Sequence, residues 1–198
     1  MPVTLHAPPQ SVESQRPQQK KLTREECDAL ELAGLLEPGR YELIEGVLVG
    51  KMGKNAHHIR ALALLIEWLH QVFGARYVVQ EAPVDVSPED NPTSRPEPDA
   101  AVLSFSVRDL RGTLRAIQVR LVIEVSDTTL GFDLNDKARL YARAGIPEYW
   151  VLDINGRQLF VYREPQQGKY GSLVVCSENE TVTSLAAPDA AIRVGDIV

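Results

Sequence analysis

Apolar residues recur along the chain at two different intervals, and each interval predicts a different kind of element. Between Ala56 and Phe73, the residues Ile59, Leu62, Ile66, Leu69 and Phe73 follow at steps of three and four, the spacing of one helix face. Gly74 then stands where a helix-ending glycine belongs. A shorter helix is predicted from Thr23, because Thr23-Arg24-Glu25-Glu26 fits a capping box. Leu30, Leu32, Leu35 and Leu36 would form its apolar side before Pro38-Gly39 stops it. A third helix is expected from about Asp133 to Ala144, ended by Gly145 with Pro147 just beyond.

The other interval belongs to strands. Arg40–Ile44 and Val47–Met52 read as short strands turning at Glu45-Gly46. A strand is expected over Tyr77–Val86, followed by a polar, proline-rich loop through Pro98. Ala100–Leu103 and Val119–Val125 are almost wholly apolar, the pattern of strands covered on both faces. Glu148–Asp153 and Gln158–Arg163 flank Asn155-Gly156, a hairpin signal because both turn residues tolerate positive φ. The C-terminal remainder reads as weaker strand and loop. This order predicts a mixed α/β sheet layered with helices.

Composition narrows the class. Pro, Gln and Ser make up half of residues 1–20, where apolar positions are scattered. Such a stretch buries too little surface to offset its chain entropy, so it is expected to be a disordered tail, with residues 21–198 forming one domain. The 198 residues are 44% apolar and 24% charged, which excludes collagen-like, coiled-coil and wholly disordered chains. Cys27 and Cys176 are too few for a disulfide framework or a cysteine-based zinc site. Without a membrane-length apolar run or a signal-peptide core, the expectation is a cytoplasmic protein. The net charge of −6 means that a nucleic-acid partner would require a local basic patch or bound cations.

The most informative residue is a carboxylate in an apolar strand. Glu124 lies in Leu121-Val122-Ile123-Glu124-Val125. An ionised carboxylate left unpaired there costs several kcal/mol, so a basic side chain or a metal must meet it. Asp99 poses the same question at the start of the preceding apolar strand. If the two strands are neighbours, two carboxylates converge at one sheet edge, and a hard divalent ion between them would relieve their repulsion. Such an ion can activate water for phosphodiester hydrolysis. The competing reading is structural, with arginines from the Arg108–Arg120 stretch paired to both acids.

Taken in order, these stretches resemble the restriction-endonuclease-like PD-(D/E)XK nucleases, and more closely the Uma-two family of bacterial endonuclease-like proteins. The matching pieces are Tyr41-Glu42-Leu43-Ile44-Glu45-Gly46, a His at 57 or 58, Pro96-Glu97-Pro98-Asp99 and Val122-Ile123-Glu124-Val125-Ser126. They continue through Asp133, Lys137 and Tyr141 to Gly145-Ile146-Pro147-Glu148-Tyr149-Trp150-Val151-Leu152-Asp153. The resemblance implies a restriction-endonuclease-like fold and a Mg²⁺- or Mn²⁺-dependent endonuclease acting on DNA. It implies that Asp99 and Glu124 hold the ion, with the Val125 carbonyl as a further ligand and Glu42 completing the shell. The superfamily's lysine normally stands two residues after the second acid, where this chain has Ser126. Lys137 on the next helix would replace it, orienting water or stabilising charge on the phosphorane, and Tyr141 follows one turn later.

Plainer readings stand beside these. Lys137 follows Asp133 by four residues, so an exposed helix pair worth about 0.3–0.5 kcal/mol accounts for it equally. Glu42 reads as the wet face of its strand, and Tyr149-Trp150 as core aromatics. Asp153 reads as the cap of the following turn. His57 and His58 open a helix and have no zinc-ligand spacing; they are candidates for phosphate contact or simply solvated. For DNA, Ser106–Arg120 carries four arginines against one aspartate, and Lys137, Arg139 and Arg143 give the later helix a basic stripe. A homodimer would suit cutting both strands. The alternative to an endonuclease is a catalytically degenerate relative that binds nucleic acid or serves in assembly.

Overall fold

The computed structural model describes residues 19–51 and 55–198. The tail expected over residues 1–20 thus lies outside the described residues except for its last two positions, as does Met52. Helix α1 (Arg24–Leu32) opens with the expected capping box. The Thr23 hydroxyl accepts from the Glu26 amide and the Glu26 carboxylate accepts from the Thr23 amide. Its leucine side is not its buried side, because the helix ends at Leu32, and Leu32 and Leu35 stand in solvent. Cys27 is the residue α1 buries.

Strands β1 (Tyr41–Ile44) and β2 (Val47–Gly50) form the predicted hairpin. Helix α2 (Ala56–Phe73) has the predicted bounds; Asn55 caps its start and Gly74, at φ 83°, closes it. Its buried stripe is His58, Ala61, Leu62, Leu65, Ile66 and Leu69, whereas Ile59 is exposed. The strand expected over Tyr77–Val86 is instead two fragments, β3 (Val78–Val79) and β4 (Val84–Asp85). Between them Glu81 takes φ 49°, and Pro83 has no amide to donate.

Next come β5 (Ala100–Leu103), β6 (Leu114–Arg115) and β7 (Val119–Ser126). After these the chain forms α3 (Leu130–Phe132), a π-helical turn over Asp133–Lys137 and α4 (Ala138–Arg143). The third predicted helix is therefore longer than expected and contains a wider turn. Strands β8 (Glu148–Asp153), β9 (Gln158–Gln166), β10 (Lys169–Ser177), β11 (Thr181–Ser184) and β12 (Ala187–Arg193) complete the chain.

The main sheet runs β10-β9-β8-β7-β5-β3. Only the β7–β8 pair is parallel, joined over the sheet by the α3–π–α4 crossover. Strands β5 and β8 are buried throughout and β7 almost throughout, as their apolar composition requires. Side chains alternate across β7. Leu121, Ile123 and Val125 pack with Leu62, Leu65 and Leu69 of α2, while Val122 packs with Ala138 and Tyr141 of the crossover. Glu124 and Ser126 share the parity of Val122 and so face the crossover helix.

The β8–β9 connection is a four-residue loop, since Asp153 pairs with Gln158. Asp153 caps it as predicted, accepting from the amides of Asn155 at 3.1 Å and Gly156 at 2.8 Å. Positive φ falls on Arg157, not on Asn155 or Gly156. A Cβ at Gly156 would lie 2.2 Å from a carboxylate oxygen of Asp153, so any larger residue there would have to displace that carboxylate.

Candidate active site

The β5–β7 register sets Ala100 opposite Ile123, which brings Asp99, one residue before β5, beside Glu124 and Val125. The Asp99 carboxylate accepts from the Val125 amide at 2.8 Å, and His58 Nε2 from the start of α2 stands 3.5 Å from the same oxygen. In an extended strand a residue's N–H and C=O leave on the same side, so the Val125 carbonyl points towards Asp99 as well.

On the crossover side, four-residue steps align Asp133, Lys137 and Tyr141 on one buried stripe above β7. The π turn begins this stripe, and the Tyr149 hydroxyl donates to the Asp133 carbonyl within it at 3.1 Å. Lys137 Nζ lies 2.9 Å from Glu124 Oε1, 3.1 Å from Glu42 Oε1 and 4.0 Å from Asp133 Oδ1. The Tyr141 hydroxyl donates to Glu124 Oε1 at 2.9 Å.

Glu42 reaches Lys137 because β1 runs beside the segment that precedes Asp99. The Arg95 amide donates to the Leu43 carbonyl at 2.6 Å, and the Glu97 amide donates to Glu42 Oε2 at 3.1 Å. Glu42 is therefore not a wet-face residue, and only 11% of its side chain is exposed. The Lys137–Asp133 pair exists, yet both partners are buried and two other carboxylates approach the ammonium more closely. The structural reading expected an arginine against Glu124, and Lys137 occupies that place.

Together these groups line a cleft of about 330 Å³. Its wall also includes Lys51, which pairs with Glu97, and Asp127, which accepts from Asn55 and Asn155. None of Lys51, Asn55 and Asp127 is distinguishable in the sequence from an ordinary loop residue. Of the two histidines, His58 lines the cleft and His57 is exposed outside it. Tyr141 is fully buried and meets the site through Glu124. Arg139 points to solvent and pairs with Asp136, and Arg143 is held by Asp90 and Glu45, so the later helix presents no free basic stripe. Arg108, Arg111, Arg115 and Arg120 are exposed but do not line the cleft.

Three carboxylates, those of Glu124, Glu42 and Asp133, thus approach one ammonium, with Asp99 beside Glu124 and held by His58 and the Val125 amide. Burial pushes the Glu124 carboxyl well above its ordinary range. Lys137 opposes the rise, and the charges of Glu42, Asp133 and Asp99 add to it. Burial also raises Asp133, again against Lys137. For Lys137 burial disfavours the charge, but Glu124, Glu42 and Asp133 outweigh it and hold the ammonium protonated beyond the usual lysine range. Burial and the neighbouring Glu124 keep the Tyr141 hydroxyl protonated as a donor.

The family model Uma2, described as "Putative restriction endonuclease", matches residues 24–195. Among solved structures, the crystal structure of a putative nuclease belonging to DUF820 from Anabaena variabilis ATCC 29413 superposes with a TM-score of 0.64 at 18% identity. The match covers 84% of this chain and 94% of that one, so the two share a fold. No curated protein matches the chain. Among the described residues, no helix is long and apolar enough to cross a membrane.

Proposed function

Because the chain belongs to the Uma2 family of putative restriction endonucleases, we propose that its cleft hydrolyses phosphodiester bonds in DNA with Mg²⁺, or Mn²⁺, as cofactor. The observation that carries this reading is the unbalanced charge around Lys137. Among the described residues, the carboxylates of Glu124, Glu42 and Asp133 share the Lys137 ammonium in a buried setting, and a divalent cation is what such a setting favours.

The donors fit a hard ion. Asp99 and Glu124 offer carboxylate oxygens, and the Val125 carbonyl shares their edge. Both protein bonds to Glu124 end on Oε1, which leaves Oε2 for a ligand. Among the described residues no group of three or more His, Cys, Asp or Glu is placed to hold a metal ion by itself. An ion bound here would rest on two carboxylates and a carbonyl together with water and substrate phosphate, the kind of shell Mg²⁺ commonly takes. When bound, the ion supplies charge neutralisation at the phosphate and a more acidic water.

The chain's own groups do the rest. Lys137 remains protonated, held between Glu124 and Glu42, and directs N–H donors to the cleft, where it positions water or offsets charge developing on the phosphoryl oxygens. Glu42 fixes the ammonium, and the Glu97 amide fixes Glu42. Tyr141 fixes the Glu124 rotamer. His58 fixes the Asp99 carboxylate from the side opposite the crossover helix.

A second reading rests on the same ion pairs. In a degenerate relative, Lys137 serves only to balance Glu124 and Glu42, and the cleft binds nucleic acid or assembles without cutting it. Plasmid cleavage with added Mg²⁺, paired with calorimetric titration of the ion, separates the two. We expect cleavage and ion binding that are both lost in Glu124→Ala, and cleavage lost with ion binding kept in Lys137→Ala. Ion binding without cleavage of any nucleic acid supports the degenerate reading, and no binding of the ion even with DNA present overturns both assignments of the metal.

A further inference from the structure

The two edges of the main sheet are treated very differently by the sequence. At one edge β3 is two residues long and offers little to pair with. At the other edge β10 is nine residues long and, among the described residues, pairs only with β9. Alternate residues of such a strand send their N–H and C=O groups outward, and proteins ordinarily guard them with charge, proline or a bulge.

Strand β10 carries none of these guards in its middle. From Tyr170 to Ser177 it has no charged residue and no proline, and its register with β9 is regular from Ser172 to Ser177. Leu173, Val174 and Val175 are 51%, 49% and 44% exposed. Leu173 and Val175 lie on one face, beside Tyr162 and Phe160, and Val174 lies on the other, beside Val161. A strand that is apolar on both faces is the pattern of a central strand, and β10 has it at an edge.

We propose that β10 pairs antiparallel with β10 of a second copy of this chain, joining two six-stranded sheets into one across a two-fold axis. The charges at its ends select this occupant and this direction. Lys169 begins the strand, and Glu178 and Glu180 follow it. Arg157 balances Glu178, while Glu180 is held by the amide and hydroxyl of Ser177, so this end keeps a negative charge. Antiparallel pairing sets each Lys169 at that end of the other copy, whereas parallel pairing would set Lys169 against Lys169. Full overlap of the nine residues places the axis at the middle one, Leu173, opposite its own copy. The inference stands apart from the hydrolytic reading of the cleft.

Sedimentation of the full chain from low to high micromolar concentration tests it, together with two variants. The wild type is expected to sediment as a dimer, and Val174→Lys as a monomer with an unchanged circular dichroism spectrum. Leu173→Cys is expected to form a dimer-linking disulfide under mild oxidation. Opposed residues of an antiparallel pair lie within its reach, and both native cysteines are buried. A wild type that stays monomeric at high micromolar concentration overturns the proposal, as does a dimer that survives Val174→Lys. A dimer in which Leu173→Cys does not crosslink overturns the self-pairing of β10.

Discussion

Glu42 and Lys137 stand 95 positions apart in the chain and 3.1 Å apart in the fold. One comes from a two-stranded hairpin and the other from a π turn above the central sheet. Their contact ties the hairpin to the crossover helix at the floor of the cleft. It also gives Lys137 a partner beyond Glu124, so the ammonium stays placed when Glu124 is drawn to another ligand.

Neutralising Glu124 is expected to stabilise the metal-free protein while removing its function. The folded-state pKa of Glu124 is raised, chiefly by burial, above the ordinary glutamate value of about 4.5. The folded chain therefore holds this proton more tightly than the unfolded chain does. Its favourable contribution is complete below about pH 4.5 and is lost as pH rises towards the folded value. Thermal melts in chelator across neutral pH should show midpoints falling with rising pH in the wild type. In Glu124→Gln the slope should be smaller and the midpoint at neutral pH higher. An equal slope in the two proteins would remove Glu124 as its source.

Removing Lys137 should have the opposite effect. Lys137→Met leaves Glu124, Glu42 and Asp133 buried without their common cation, and loss of one partner from a buried pair costs about 3–5 kcal/mol. Urea unfolding at neutral pH measures this. The double variant with Glu124→Gln should recover part of the loss, because one of the stranded carboxylates is then neutral.

Glu148 offers a test of a buried ion pair with no connection to the cleft. It is fully buried, bonds Arg163 at 2.7 and 2.9 Å, and accepts from the Ser184 hydroxyl at 2.6 Å and the Leu185 amide at 2.9 Å. These bonds pin β8 and β9 to the segment between β11 and β12. Glu148→Ala should lose about 3–5 kcal/mol in urea unfolding, with ion binding at Asp99 and Glu124 unchanged wherever the variant is folded.

Gly156→Ala should destabilise the β8–β9 loop even though its φ is ordinary. The added Cβ would collide with the Asp153 carboxylate that caps the loop, so the cap must swing out and release two amides. The expected cost is about 0.5–1.5 kcal/mol, the net worth of an ordinary hydrogen bond, because Asn155 and Gly156 are exposed and their amides can turn to water. Asp153→Asn combined with Gly156→Ala should cost little more than Gly156→Ala alone, since the cap is already lost.

The helices and central strands were legible where local pattern and tertiary burial agree. The steps from Leu62 to Phe73 and the Gly74 stop define α2, and the apolar runs of β5, β7 and β8 mark strands with both faces covered. Glu124 stood out because burial of a carboxylate inside such a run is expensive wherever the fold places it. The wet-face reading of Glu42 fails because alternation in a four-residue strand says nothing about a second layer of chain lying over it. The leucines of α1 misled because that helix is short and ends before its apolar side closes. The division of Tyr77–Val86 turned on one positive φ at Glu81, a non-glycine residue that gives no warning in sequence.

Ser126 and Lys137 reach one buried volume from opposite walls, the strand and the crossover helix. Ser126 faces the crossover helix from β7, its hydroxyl lies 3.4 Å from that of Thr129, and Thr129 donates to the Asp133 carboxylate beside Lys137. Strand and helix therefore open onto one common volume, and a basic side chain can enter it from either wall. A cation carried on either wall would meet the same carboxylates, those of Glu124 and Asp133. In a parallel strand pair bridged by a single crossover, the two walls are one layer apart, so strand and helix side chains of ordinary length meet between them.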